Sequence, residues 1–229
     1  MHTQSHAQVC REIVPAPMST WSAGPRPALA PFRSTASRDG GTRIAVKRGE
    51  TIFAEGDDAT SLYRLVTGSV RLCRMSEEGE RQICDFFLPG DLLGITNDET
   101  HSFSAEAIED CTLIKYNRGS IAALMKQDPT LAYELQQLTA NGLHGAYEHM
   151  VRLCKRSARD RIVWFLLAMA KRSANDNCLN LPMSRVDIAD YLGMAHETVS
   201  RVFTQLKKSG DIAEITLNQI KLLKLKDAA

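Results

Sequence analysis

The sequence has no long hydrophobic run. Its longest apolar stretch ends at Ala170 and is far shorter than the roughly 20 residues that a membrane-spanning helix needs. The N-terminus carries charged residues and prolines, and it lacks the apolar core of about 7–15 residues that marks a secretory signal. The sequence therefore predicts a cytoplasmic protein that has no membrane partner.

Closely spaced cysteines are also absent. The six cysteines are Cys10, Cys73, Cys84, Cys111, Cys154 and Cys178, and none of them forms a Cys-x-x-Cys pair. This spacing argues against a zinc site or a disulfide framework. The chain also lacks clustered histidine and carboxylate ligands and a nucleophile-elbow pattern, which argues against hydrolase or metalloenzyme chemistry. We therefore predict that the protein is not an enzyme and holds neither a metal nor a cofactor.

Charge is unevenly distributed, although the net charge is only +1. Residues 43–151 hold ten basic and seventeen acidic side chains, whereas residues 152–229 hold fourteen basic and eight acidic ones. An acidic middle joined to a basic C-terminal part is typical of a regulator with a separate nucleic-acid module, because only the DNA-facing part gains from attracting phosphates. Blocks of charge that simply keep surfaces solvated give the same pattern, so charge alone does not decide.

The first half of the chain divides into a tail and a β-rich domain. Residues 1–42 contain five prolines and no hydrophobic periodicity, which predicts a flexible N-terminal tail. Residues 43–122 contain short alternating segments, such as the one around Val70 and Leu72, separated by glycine-containing turns such as "EEGER" at 77–81. Short strands with turns at this spacing predict an antiparallel β-roll.

A long helix is predicted for residues 123–155. Apolar and small residues recur there at alternating spacings of four and three, the 3.5-residue rhythm of a helix that packs against a partner helix. We predict dimerisation through Leu131, Leu135, Leu138, Gly142, Gly145 and His149. The glycines would permit close approach of two backbones. Packing of this helix on its own domain is the alternative.

Residues 156–229 have the pattern of a winged helix-turn-helix domain. Within "SRVDIADYLGMAHETVSRVFTQLKKSG" at 184–210, Ile188 and Leu192 give a first short helix its apolar face, and Gly193 allows a tight turn. Val199 and Phe203 belong to the apolar stripe of a second helix. The following "DIAEITLNQIKLL" alternates as a hairpin, which predicts the wing. The complete fold class is therefore α+β: an antiparallel roll, a long dimerisation helix and a winged helix-turn-helix.

Three polar residues on the second short helix fit base reading. Glu197, Ser200 and Arg201 stand at i, i+3 and i+4, so they project from one face near the end that enters the major groove in this motif. A guanidinium pairs with guanine, a carboxylate accepts from cytosine, and a hydroxyl serves thymine or phosphate. The alternative is an exposed Glu197–Arg201 ion pair, worth only about 0.3–0.5 kcal/mol.

Further residues around the motif are candidates for contacts to the DNA backbone. These predicted contacts are Ser184, Arg185, His196, Thr198, Lys207 and Lys208. Cys178, just before the reading unit, is a candidate redox reporter by position alone, and a buried inert thiol is the ordinary alternative.

The order of roll, long helix and winged helix, together with the Glu-x-x-Ser-Arg pattern, resembles the family of the cyclic AMP receptor protein and FNR, in its FixK-like branch. The resemblance covers about residue 42 to the C-terminus and implies a cyclic-nucleotide-binding-like jelly roll. It implies that Arg201 binds guanine, Glu197 the complementary cytosine and Ser200 the neighbouring thymine. It further implies a homodimeric activator that binds a palindrome like TTGA-N6-TCAA, works with RNA polymerase and controls genes for low-oxygen respiration or nitrogen fixation.

The sequence also departs from the family pattern. Ile95 stands where cyclic AMP binders have a ribose-binding glutamate, and Phe103-Ser104 replaces their phosphate-binding Arg-Ser pair, so no cyclic nucleotide is predicted. Cys10 alone in the tail argues against an iron–sulfur cluster. Ala195 replaces the usual Ser or Thr cap of the recognition helix, at an expected cost of about 1 kcal/mol. A ligand-binding signalling module whose C-terminal domain docks on protein remains the alternative function.

Overall fold

The computed structural model describes residues 41–155, 157–172, 178–216 and 218–225. The predicted tail lies outside the described residues except for its last two positions, and Cys10 lies outside them as well.

The N-terminal half of the described chain is a roll of eight short strands. These are β1 Thr42–Val46, β2 Thr51–Phe53, β3 Ser61–Thr67, β4 Val70–Met75, β5 Arg81–Phe87, β6 Leu92–Leu93, β7 Ser104–Ala107 and β8 Cys111–Asn117. They form two antiparallel sheets with the orders β1-β8-β3-β6 and β2-β7-β4-β5. Leu65 and Leu113 of the first sheet pack against Val70 and Phe87 of the second, which makes the core of the roll. The predicted antiparallel roll is confirmed.

Glycines shape two of the turns in this roll. Gly79, in the predicted "EEGER" turn between β4 and β5, has a φ of 80°, which lies in the left-handed region that favours glycine. Gly68, between β3 and β4, has a φ of 88°, and a Cβ atom there would lie 2.7 Å from the Asp110 carbonyl oxygen. Both the backbone angle and the available space therefore require glycine at position 68.

Two helices follow the roll where the sequence predicted one. Helix α1 spans Arg118–Gln127 and helix α2 spans Pro129–Lys155. Asp128 between them has an extended backbone, with a φ of −122° and a ψ of 98°, because the residue before a proline is disfavoured in the helical region. The predicted boundary between residues 122 and 123 therefore falls inside α1, and the long helix begins at Pro129.

The first turns of α2 pack on the roll of the same chain. Leu131 and Leu135 are buried in a cluster with Leu62, Tyr116 and Ile121, and Leu138 packs at its edge. These three leucines were predicted to face a second copy, but the structure places them against their own domain. The roll offers an apolar surface within the chain, and the 3.5-residue rhythm by itself does not say which face of the helix meets it.

The remaining predicted dimer residues also face their own chain. Gly142 and Gly145 line clefts between α2 and the roll, and His149 stacks on Tyr191 with ring centroids 4.1 Å apart. The exposed surface of α2 carries hydrophobic side chains. They are Tyr133, Leu143, Tyr147, Met150 and Val151. Of these, Leu143 also lines the cleft that Gly142 lines.

The C-terminal domain has the predicted winged-helix architecture. Its elements are α3 Ala158–Arg172, β9 Cys178–Asn180, α4 Arg185–Leu192, α5 His196–Lys208, β10 Ile212–Glu214 and β11 Gln219–Leu222. The three strands form one antiparallel sheet in the order β10-β11-β9, so the wing hairpin carries a third strand. Ile162, Phe165 and Leu166 of α3 are buried beneath α4 and α5. No helix in the described ranges is both long and apolar enough to cross a membrane.

Candidate nucleic-acid interface

Local hydrogen bonds fix both ends of α4, including the turn that leads into α5. Ser184 caps α4: its hydroxyl accepts from the Asp187 backbone N–H, and the Asp187 carboxylate accepts from the Ser184 N–H, a reciprocal capping box. Gly193 ends the helix with a φ of 58° and donates its N–H to the Ala189 carbonyl. This left-handed residue lets the chain turn sharply into α5, as the sequence predicted.

Helix α5 has one buried and one solvent-facing side. The buried stripe consists of Val199, Val202, Phe203 and Leu206. Glu197 and Arg201 are exposed and Ser200 is partly exposed, so the structure brings the three predicted reading residues together on the side away from the core. Their arrangement presents an acceptor, a hydroxyl and a planar set of donors to solvent, which is the chemistry that base edges require.

Thr198 orients Arg201. The Arg201 Nη2 atom donates to the Thr198 hydroxyl oxygen at 3.2 Å, one helical turn back. In the described part of the chain, Arg201 makes no ion pair with Glu197, so the exposed i,i+4 pair considered from the sequence does not form. The sequence predicted that Thr198 contacts the DNA backbone, and it did not predict the hydrogen bond between Thr198 and the Arg201 side chain.

The N-terminus of α5 lacks a side-chain cap. Ala195 occupies the cap position with a φ of −64° and a ψ of 141°, and no side chain bonds the first N–H groups. The residues at this helix start, Ala195, His196 and Glu197, are all exposed. An uncapped helix start is a favourable place for an anion such as a phosphate.

Glu214 in the wing binds two of the predicted phosphate contacts. Arg185 donates to the Glu214 carboxylate at 3.2 Å, and Lys207 forms an ion pair with the same carboxylate. The Lys207 ammonium holds the pKa of the Glu214 carboxyl below its usual range. The Arg185 guanidinium also lies over the Phe203 ring, 3.5 Å from its centroid, and burial lowers its pKa. Arg185 and Lys207 therefore join the wing to α4 and α5.

The other candidates differ in accessibility. Lys208 is exposed, and Ser184 is exposed although its hydroxyl is bonded to Asp187. Cys178 is half-buried at the start of β9, where its backbone pairs with that of Lys221. A redox role for Cys178 stays a prediction.

A cleft of about 520 Å³ lies between the roll and α2. Aromatic side chains of Phe53, Phe87 and Phe103 line it, and His101 stacks on Phe53 with ring centroids 3.9 Å apart. Burial lowers the pKa of His101. Among the described residues that line the cleft, Asp98 is the one with a carboxyl group and none is a lysine or arginine, so a phosphate there would meet no cationic partner of that kind.

Two family models match the chain. The cyclic nucleotide-binding domain model matches residues 43–128, and the Crp-like helix-turn-helix domain model matches residues 160–227. Together they span more than half of the sequence. The chain therefore belongs to the Crp/FNR family of transcription regulators, as the resemblance in its sequence indicated.

Individual relatives identify the FixK/FNR type within this family. The nitrogen fixation regulation protein FixK of Bradyrhizobium diazoefficiens is 41% identical over 180 residues, covering 76% of each chain. FixK of Rhizobium meliloti is 38% identical over 178 residues, covering 78% of this chain and 81% of the relative. The solved structure of FixK2 from Bradyrhizobium japonicum superposes with a TM-score of 0.78 at 37% identity, covering 82% of this chain and 98% of that one. The chain is thus a FixK/FNR-type regulator with a helix-turn-helix DNA-binding domain.

Proposed function

We propose that the protein is a homodimeric activator that binds a palindrome resembling TTGA-N6-TCAA. The observation that carries this proposal is the solvent-facing group of Glu197, Ser200 and Arg201 on α5, opposite a buried stripe. The activator role is supported by relatives such as the transcriptional activatory protein AadR of Rhodopseudomonas palustris, which is 37% identical over 163 residues, covering 69% of this chain and 68% of the relative.

Each reading residue has an assigned partner in the proposed complex. Arg201 donates to guanine O6 and N7, Glu197 accepts from cytosine N4 on the complementary strand, and Ser200 contacts the neighbouring thymine. The bond from Arg201 to Thr198 supports this assignment, because a side chain held near one rotamer loses less entropy when it binds.

Backbone phosphates are held by a smaller set than the sequence suggested. We propose direct contacts from His196 and Lys208, which are exposed, and from Ser184 and Thr198 at the two helix starts. Arg185 and Lys207 support these contacts indirectly, since Glu214 binds both and fixes the wing beside α5.

The proposed dimer interface is the exposed side of α2. Leu143, Tyr147 and Met150 follow one another at spacings of four and three, and each has more than half of its surface exposed. An apolar stripe of this kind on an exposed helix is typical of an association surface. Two-fold symmetry through α2 would then place two copies of α5 in successive major grooves, roughly 34 Å apart.

The proposed regulon follows from the relatives. Several are named as nitrogen fixation regulators, which supports control of genes for nitrogen fixation or low-oxygen respiration. An activator of such genes would contact RNA polymerase and would act in the cytoplasm, where the DNA and the polymerase are.

Selection of bound sequences from a random DNA pool tests the proposal. The wild-type protein is expected to enrich the palindrome, whereas Arg201→Ala should lose preference at the guanine position at a cost of about 1–3 kcal/mol. Lys208→Ala is the matched control, because loss of a phosphate contact weakens all sequences equally and lowers the salt slope by about one. Unchanged operator affinity of Arg201→Ala would refute the base-reading assignment.

A further inference from the structure

Helix α4 is docked on the roll by polar side chains from β4 and β5. Arg81 donates to the Asp190 carboxylate at 2.8 and 2.9 Å and to the Asp187 carboxylate at 2.8 Å. Arg71 donates to Asp187 at 3.0 Å, and Gln82 donates its amide to the Asp190 carbonyl at 2.7 Å. We call Arg71, Arg81, Gln82, Asp187 and Asp190 the α4 docking network.

Asp187 is the centre of this network. One of its carboxylate oxygens accepts from both arginines of the roll, and the other accepts from the backbone and hydroxyl of Ser184. Its side chain is only 6% exposed. The same carboxylate therefore caps α4 and attaches α4 to the roll, so the start of the helix-turn-helix cannot shift without breaking buried charge-assisted bonds.

Apolar contacts continue the same interface. Phe86 of β5 lies beside Tyr191 of α4, with ring centroids 5.2 Å apart, and Ile83 and Ile188 belong to the same buried cluster. Arg71 is itself held in the roll, because it donates to Glu106 on the neighbouring strand at 2.8 Å. The roll thus presents a prearranged surface to α4.

Docking leaves the DNA-reading side open. The network holds α4, whereas Glu197 and Arg201 on α5 stay exposed in the docked arrangement. The contact therefore does not block DNA. It fixes the position of α5 relative to the roll and, through the roll, relative to α2.

We propose that Arg71 and Arg81 are positioning residues for DNA recognition, which set the separation of the two recognition helices in the dimer by fixing α4 on the roll. This inference rests on the proposed function, since it assumes a dimer on a palindrome. If α4 is held rigidly on the roll, the dimer accepts one spacer length between half-sites. If this contact is loosened, each helix-turn-helix can adjust to neighbouring spacer lengths, and affinity for the preferred spacer length falls.

The test compares the full-length protein with Arg81→Gln on palindromes whose spacer is shortened or lengthened by one and two base pairs. Arg81→Gln is expected to weaken binding to the N6 site about tenfold, within the range usual for coupling between sites, and to flatten the preference among spacers. The half-site sequence that it selects should be unchanged. Arg74→Gln is the matched control, because Arg74 lies on β4 but pairs with Glu55 inside the roll.

A second variant and a second measurement keep the test decisive. Gln82→Ala removes the bond to Asp190 without leaving a buried charge unpaired, so it should fold and give a smaller shift in the same direction. Amide hydrogen exchange without DNA should show faster exchange in α4 and β5 of both variants and unchanged exchange in Arg74→Gln.

The outcomes separate the two proposals. A wild-type spacer preference in both Arg81→Gln and Gln82→Ala would overturn the positioning role, even if both variants were less stable. Should the wild-type protein select no palindrome, the proposed function fails. In that case, faster exchange confined to α4 and β5 of the two variants would still show that the α4 docking network holds α4 on the roll. Unchanged exchange there would show that the network does not hold α4 on the roll.

Discussion

At the scale of single residues, Ala195 lowers the stability of the folded protein, because its side chain cannot cap the DNA-binding end of α5. We expect Ala195→Ser to stabilise the folded protein by about 1 kcal/mol, because a serine hydroxyl could accept from the uncapped N–H groups. The extended backbone at position 195 already suits a cap residue. Denaturant unfolding measures the change, with Ala195→Val as a control that adds no acceptor. Equal stability of the serine and valine variants would contradict this account of the helix start.

His149 is a partly buried histidine at the junction of three helices. Its ring stacks on Tyr191 of α4 at 4.1 Å and lies 5.8 Å from the Trp164 ring of α3. Burial lowers the pKa of His149 to about 4. Within the described residues, its Nδ1 atom is buried without a hydrogen-bond partner, which agrees with a neutral ring.

The lowered pKa of His149 predicts a loss of stability in acid. Between pH 6.5 and pH 4 the unfolded chain binds a proton at this histidine and the folded protein does not, so the free energy of unfolding falls as pH falls, by up to about 3 kcal/mol. Above that window both states are neutral there and the contribution vanishes. We expect His149→Phe, which keeps an aromatic ring, to show a shallower decline. Parallel unfolding profiles of the two proteins over this range would contradict the assignment.

What the sequence revealed at this scale depended on local geometry. The common direction of Glu197, Ser200 and Arg201 follows from helical spacing alone, and the missing cap at Ala195 follows from its identity. The partners of Arg185, Lys207 and Asp187 could not be read in the same way. Glu214 is 29 residues from Arg185, so their contact exists only once the C-terminal domain has folded. Arg81 is 106 residues from Asp187 and belongs to the roll, so their contact exists only once the two domains pack together.

At the scale of elements, α2 shows which part of a helical pattern is ambiguous. The rhythm of fours and threes correctly predicted a long helix, but the same helix carries apolar residues on two sides. Leu131 and Leu135 meet the roll, whereas Leu143 and Tyr147 remain exposed. Choosing between these sides requires the position of the roll, which no spacing within the helix encodes. The break before Pro129, in contrast, was readable from the proline.

The exposed side of α2 gives a test of association. We expect Leu143→Glu to convert the proposed dimer into monomers, because two carboxylates would face each other across a two-fold axis in an apolar contact. Analytical ultracentrifugation measures the change in dissociation constant. Leu124→Glu is the control, since Leu124 is an exposed leucine of the shorter helix α1. A dimer that survives Leu143→Glu would place the interface elsewhere.

At the scale of the whole molecule, the cleft and the DNA-binding domain are connected through α2. Gly142 lines the cleft, and His149, two turns further along, stacks on Tyr191 of α4. Helix α2 therefore gives a single path by which a ligand bound in the cleft could affect the DNA-reading unit. Such a ligand changes DNA affinity only if it binds the DNA-binding conformation of the protein and another conformation with different affinities.

Cyclic AMP is the ligand that the roll's family model suggests, and the cleft argues against it. Phe103 and Ser104 stand where the resemblance expects an arginine and a serine, and no lysine or arginine is among the described lining residues. A cyclic phosphate would lose its hydration there without gaining a charged partner. We expect millimolar cyclic AMP to leave operator affinity unchanged in fluorescence anisotropy, and calorimetry to detect no binding to the free protein. Tighter operator binding in the presence of the nucleotide would show that the cleft accepts a phosphate by contacts other than a cation, and would make the roll a nucleotide sensor.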